Sequence, residues 1–178
     1  MQSAYKGVFV PKNPQKYKGD ATNIIFRSLL ERSYMTRLDN DPRIVEWASE
    51  EIIVPYISPV DGAPHRYFPD FYVKLLKDGV VNEYLVEIKP KSQTLAPKPP
   101  KSGKISRSYK MARIAWAVNE AKWNAARNYC KDKGLTFEIL TEEDAGIKRI
   151  YNKQSLGKLP KGTIKTKAPW KSTWSKRK

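Results

Sequence analysis

The sequence predicts an α/β fold: a mixed β-sheet flanked by helices, followed by a basic C-terminal arm that is disordered on its own. Three observations carry this. The patterning between residues 21 and 145 runs helix, three strands, helix, strand, helix. An Asp-Gly pair, Asp78-Gly79, separates two apolar-rich runs, a strong short signal for a two-residue hairpin loop. The 178 residues are enough for one well-buried core but not for two domains of ordinary size.

Residues 1–20 mix Lys, Gly, Pro and Asn with scattered aromatics, and are expected to form an irregular arm laid on the body. "ATNIIFRSLLERSYMTRLDNDP" reads as a buried helix over about 22–38, with Thr22 or Asn23 as its N-cap and "DNDP" as its stop. "EEIIVPYI" at 50–57 is a strand and "SPVDGAP" a turn. Two longer strands, about 66–76 and 81–89, form the hairpin. Residues 90–104 are too rich in Pro, Lys and Ser to fold alone and are expected to be a mobile basic loop. A long helix follows over about 107–133, closed by Gly134. "LTFEIL" is then a strand, and "TEED" reads as the capped start of a short helix. This divides the chain into an arm (1–20), a folded domain (21–145) and a basic tail (146–178).

The net charge of +16 is unevenly placed. Residues 1–87 hold 11 basic and 12 acidic side chains, and 114–145 hold 4 and 6. By contrast, 88–113 hold 8 basic and 146–178 hold 11, with no acidic side chain in either stretch. A near-neutral body with two basic segments is the pattern of a polyanion binder, because each cation near a phosphate releases condensed counterions. A merely solubilising tail is the plain alternative. The phosphate contacts expected from the first segment are Lys91, Lys98, Lys101, Lys104, Arg107, Lys110 and Arg113.

One cysteine, Cys130, and one histidine, His65, leave little support for a disulfide framework, a Cys/His zinc site or a Cys/His nucleophile. No run of 18 apolar residues and no signal-like N-terminus occurs, so the reading is a soluble intracellular protein without a membrane segment.

The hairpin holds the chemistry. With Asp78 and Gly79 as its loop, Lys74 faces Glu83 and Asp70 faces Glu87. The first is an ordinary ion pair; the second sets two like charges about 5 Å apart, which a plain sheet avoids. Lys89 lies about 7 Å beyond Glu87 on the same face. Pro69 removes a ladder donor beside Asp70, consistent with a distorted strand end. Two opposed carboxylates suit a hard divalent cation such as Mg²⁺, to which the Ile88 carbonyl offers a further ligand. Carboxylates, ion and lysine together are the inventory of metal-assisted phosphodiester hydrolysis. A solvated hairpin face with a Glu-Lys ion pair is the plain alternative.

Glu31 sits among Ile24, Met35 and Leu38, an expensive setting for an ionised carboxylate without a partner. It reads either as a third acid over the sheet or as the partner of Arg27 or Arg32. Lys122 and Trp123 either face the site or, with Trp116 and Tyr129, belong to the core. His65 and Arg66 read equally as phosphate contacts or plain surface, and Cys130 as a small buried residue.

"FPDF" and "VEIK" resemble the two motif halves of the PD-(D/E)xK nucleases. "YKGVFVPKNPQKYKGD", "NIIFRSLLE", "WASEE", "YLVEIKP", "AVNEAKWNAARNYC" and "ILTEED", spread over residues 5–145, more closely resemble the head-completion nucleases of large contractile-tailed bacteriophages. The endonuclease subunit of heteromeric transposases is a more distant likeness. The resemblance implies a restriction-endonuclease-like sheet, Glu31 as a helix-borne acid, Asp70 and Glu87 as metal ligands, Lys89 as the catalytic lysine and Mg²⁺, with Mn²⁺ as a substitute, as cofactor. It further implies a DNA substrate, phage head or head-tail joining proteins as partners, and a place in the virion or the host cytoplasm during assembly. The rival readings are a DNA-binding joining protein that does not cut, and a recombination or transposition subunit silent without its partners. The tail after Gly146 lies outside the resemblance.

Overall fold

The computed structural model describes residues 5–144. The basic tail and the continuation of the helix expected at "TEED" lie outside them; within them, 142–144 form a turn in which Thr141 and Asp144 are hydrogen-bonded.

The centre is a four-stranded sheet of β3 (Ile44–Ser49), β6 (Phe71–Lys77), β7 (Val80–Ile88) and β8 (Thr136–Leu140), in that spatial order. The first two pairings are antiparallel and the last is parallel. Two ribbons flank it, β1 (Gly7–Phe9) with β2 (Ile24–Phe26), and β4 (Val54–Ile57) with β5 (Pro64–Tyr67). The helices are α1 (Leu29–Asn40) and α2 (Arg107–Lys133).

Period-two alternation divides the core. Phe71, Val73 and Leu75 join Trp47, Val86 and Ile88 on the face covered by α1 and the first ribbon. Tyr72 and Leu85, pointing the other way, pack with Ala126 and Cys130 of α2 and with Tyr56 and Tyr67 of the second ribbon. Asp70 and Glu87 have the parity of Tyr72 and Leu85, so the charged pair belongs to the α2 face.

The structure corrects the expected elements in four places. Residues 22–38 are not one helix: Ile24 and Phe26 are buried on either side of exposed Ile25, the strand alternation of β2. The helix starts at Leu29, with Ser28 as its N-cap: Ser28 Oγ accepts the Glu31 N–H at 3.1 Å. The strand expected at 50–57 begins only at Val54, and β3 before it was not anticipated. The strand expected at 66–76 is two strands of different sheets, parted at Phe68-Pro69-Asp70. Finally, the arm contributes a strand and two core aromatics: Phe9 packs edge-on against Trp47, and Tyr17 does so at 4.8 Å. Buried Asp39 anchors the arm by accepting the N–H groups of Lys12 and Asn13 at 2.8 and 3.0 Å.

The long helix has the expected limits, with Ser106 as N-cap and Gly134 in the left-handed conformation at φ 70°. Between the short 3₁₀ turn Lys91–Gln93 and α2 there is no helix or strand. No helix among the described residues is long and apolar enough to cross a membrane.

Candidate active site

The hairpin loop fixes everything above it. Asp78 and Gly79 both take positive φ, 52° and 78°, as a type I′ turn requires. The register follows: Lys74 pairs with Glu83, and Phe71 with Val86 is the last ladder pair. One residue further, where Pro69 ends the ladder, Asp70 turns its Oδ2 onto the backbone N–H of Ile88 at 2.6 Å. It thereby stands across from Glu87.

Glu87 is 4% exposed, and protein groups hold both of its oxygens. The Tyr67 hydroxyl donates to Oε2 at 2.6 Å, and Lys89 Nζ lies 2.8 Å from Oε1. Burial, and then the Glu87 charge, push the Tyr67 phenol well above its ordinary range, so it remains a donor. Burial alone would lower the Lys89 ammonium, but Glu87, Asp70 and Glu31 outweigh it and the net direction is upward. Asp70 moves the other way from a stabilised carboxylate. Burial and the neighbouring Glu87 raise it well above the usual range, against the Ile88 N–H and Lys89.

Glu31 reaches this cluster through its charge, acting on both Asp70 and Lys89. Its carboxylate is held by the Arg27 backbone N–H at 2.7 Å and the Ser28 hydroxyl at 2.8 Å. The partner is thus the Arg27 backbone, while the Arg27 guanidinium pairs with Glu50. Among the described residues, no three acidic, His or Cys side chains close on one point as a metal-binding cluster does. What the structure assembles is two opposed carboxylates and a lysine, with Glu31 at their edge. Asp70, whose charge is disfavoured as it stands, is the oxygen donor that a divalent ion would relieve, so the donor set fits such an ion.

Lys122 lies 5.6 Å over the rings of both Tyr56 and Tyr67, one step behind the Tyr67–Glu87 hydrogen bond. Trp123 is core, packed edge-on with Trp116 at 5.7 Å. His65 binds Asp61 within its own ribbon at 2.8 Å, and Cys130 is buried. Of the expected phosphate contacts, Lys98, Lys101, Lys104, Arg107, Lys110 and Arg113 are exposed. Lys91 is instead engaged, its ammonium 2.7 Å from Glu143 and its N–H on Glu142.

Sequence reading missed Tyr67, Ser28 and Glu50, and named Arg27 only as an ion-pair partner of Glu31. Ser28 and Glu31 carried a legible signal, Ser-x-x-Glu before an apolar run. Tyr67 and Glu50 carried none, since their partners, Glu87 and Arg27, are distant in sequence.

Opposed carboxylates and a lysine at the broken end of a central hairpin, on a mixed sheet between two helices, define a nuclease of the PD-(D/E)xK type. Residues 41–142 match the model of the TnsA-like endonuclease N-terminal family, and the chain belongs to that family. It is also similar to the head completion nuclease of enterobacteria phage T4. The two are 39% identical over 142 residues, covering 79% of this chain and 93% of that protein. Nucleases of this type use divalent metal ions.

Proposed function

We propose that this chain is a divalent-metal-dependent deoxyribonuclease that processes packaged DNA during completion of a phage head, before head and tail join. The observation that carries the reading is Asp70 standing opposite Glu87, with Lys89 bonded to Glu87. The likeness to a head completion nuclease supports the biological setting. Phage head or head-tail joining proteins are the proposed partners, and the virion or the host cytoplasm during assembly is the proposed location.

The proposed ion is Mg²⁺, with Mn²⁺ as a substitute, held by Asp70 and Glu87. When bound it would supply Lewis acidity for attack on phosphorus and offset the charge that develops there. The chain's own residues prepare that place. Tyr67 and Lys89 fix the Glu87 carboxylate from two sides, so its orientation is set before any ligand arrives. Ile88 N–H does the same for one oxygen of Asp70. Lys89, kept charged by its acidic neighbours, is the cation proposed to meet the phosphate. Glu31 is the proposed third acid, acting from the first turn of α1.

DNA is proposed to run along the exposed cations of 98–113, with the basic tail as a second grip. Lys91 joins them only by leaving Glu143. Lysine contacts of this kind go to phosphates and give weak sequence preference.

The test is Asp70→Asn, assayed for cleavage and for DNA retention on a native gel. Cleavage should be lost while affinity is equal or higher, since a negative charge near the phosphates is removed. A variant that cuts at the wild-type rate would refute the assignment.

A further inference from the structure

The cluster carries three acids, Asp70, Glu87 and Glu31, against one partly buried lysine, Lys89, an unfavourable balance for a site that must receive a phosphodiester. A second cation stands at its rim. Arg27, at the junction between β2 and α1, is more than half exposed, and its guanidinium is hydrogen-bonded to the Glu50 carboxylate. It also lies in the field of Glu31 and Asp70, which with Glu50 hold it firmly charged.

Glu50 is placed there at a conformational cost. Among the described residues only Glu50 and Asp78 take positive φ without being glycine. At Asp78 the hairpin loop demands it. Glu50, at φ 57°, follows the last residue of β3 and donates its N–H to the Asp70 carbonyl at 3.2 Å. Glycine or asparagine would suit that backbone better, so the glutamate is explained by what its side chain does. What it does is bind the Arg27 guanidinium from a residue whose own N–H is hydrogen-bonded to the Asp70 carbonyl.

We propose that Arg27 grips a backbone phosphate of the DNA at this site, and that Glu50 is its resident counter-ion, displaced when the phosphate arrives. This rests on the nuclease reading for its substrate. The planar guanidinium fork suits two phosphate oxygens as well as it suits a carboxylate, so the exchange keeps the geometry and changes only the partner. Glu50 is then a positioning residue: it aims Arg27 and sets a threshold that a phosphodiester must overcome. The Arg27 backbone N–H holds Glu31 whatever the side chain at 27, so substitutions there leave the cap in place.

The test is a double-mutant cycle on the full chain. A labelled DNA duplex is titrated in EDTA and followed by anisotropy, and cleavage of saturating DNA in Mg²⁺ is measured in parallel. Arg27→Ala should weaken binding about tenfold, as loss of one charge-assisted contact does. Glu50→Gln should tighten binding several-fold, and the gain should vanish when Arg27→Ala is combined with it. Arg27→Lys should recover only part of the affinity, because it keeps the charge and loses the fork. Should Arg27→Ala fail to fold, Arg27→Gln takes its place in the cycle. A Glu50→Gln gain that is the same with and without Arg27, or wild-type affinity in Arg27→Ala, overturns the proposal. A wild-type protein that cuts in no metal refutes the nuclease reading alone, since the cycle in EDTA still decides whether Arg27 takes the phosphate.

Discussion

The Tyr67 hydroxyl donates to Glu87 Oε2 at 2.6 Å, across the break that Pro69 makes between two sheets. Tyr67 ends a strand of the outer ribbon and Glu87 lies near the end of the central hairpin, so one hydrogen bond fastens the ribbon to the acid. Because the bond is buried and its acceptor is charged, it bears on both stability and site geometry.

Tyr67→Phe keeps the ring under Lys122 and removes only the donor. Stability should fall by about 2 kcal/mol, since a buried carboxylate oxygen loses its partner. Cleavage should fall with it. Urea unfolding followed by Trp fluorescence measures the first, and an unchanged midpoint would mean that the hydroxyl is not needed there.

Ser28→Ala removes the hydroxyl that accepts the Glu31 N–H and donates to the Glu31 carboxylate. The expected loss is about 1 kcal/mol, that of an N-cap. Thermal melting should show it; Ser28→Thr, which keeps the oxygen, should recover most of it.

Cys130 is buried against the sheet, and burial pushes its thiol up to about 11. At pH 8 only about one molecule in a thousand then carries the thiolate that reacts. A colorimetric disulfide reagent should leave the native protein untouched and titrate one thiol in guanidinium. Rapid reaction of the native protein would show that the packing of α2 on the sheet is wrong.

The tail at 146–178 adds 11 cations and no acid. Removing residues 147–178 should make DNA binding less dependent on salt, because fewer counterions are released. An unchanged slope of affinity against salt would assign the contact to the 98–113 segment instead.

How much of this was legible in the sequence depends on the range of the forces involved. The hairpin register was, because Asp78-Gly79 fixes the loop and period two does the rest; Lys74 opposite Glu83 follows without tertiary information. So was the end of α2, where Gly134 alone suits the left-handed cap. The split of 22–38 was legible in principle, in Ser28-x-x-Glu31, but the apolar run of Ile24, Ile25 and Phe26 reads equally as buried helix until its partner strand at Gly7–Phe9 is known. β3 was missed because its alternation is interrupted by a bulge between Ile44 and Glu46. At the site, Asp70, Glu87 and Lys89 share one hairpin and could be placed together. Tyr67 and Glu50 could not, since the ribbon and the end of β3 meet the hairpin only in the fold.

On the proposed reading, DNA cleavage depends on a divalent ion held by Asp70 and Glu87. Supercoiled plasmid incubated with the full chain in Mg²⁺, in Mn²⁺ and in EDTA, beside Glu87→Ala, tests it most directly. Nicked or linear products should appear in the metal lanes only, and none with Glu87→Ala. Retarded but intact plasmid in every lane, or cutting that survives EDTA or Glu87→Ala, would contradict it.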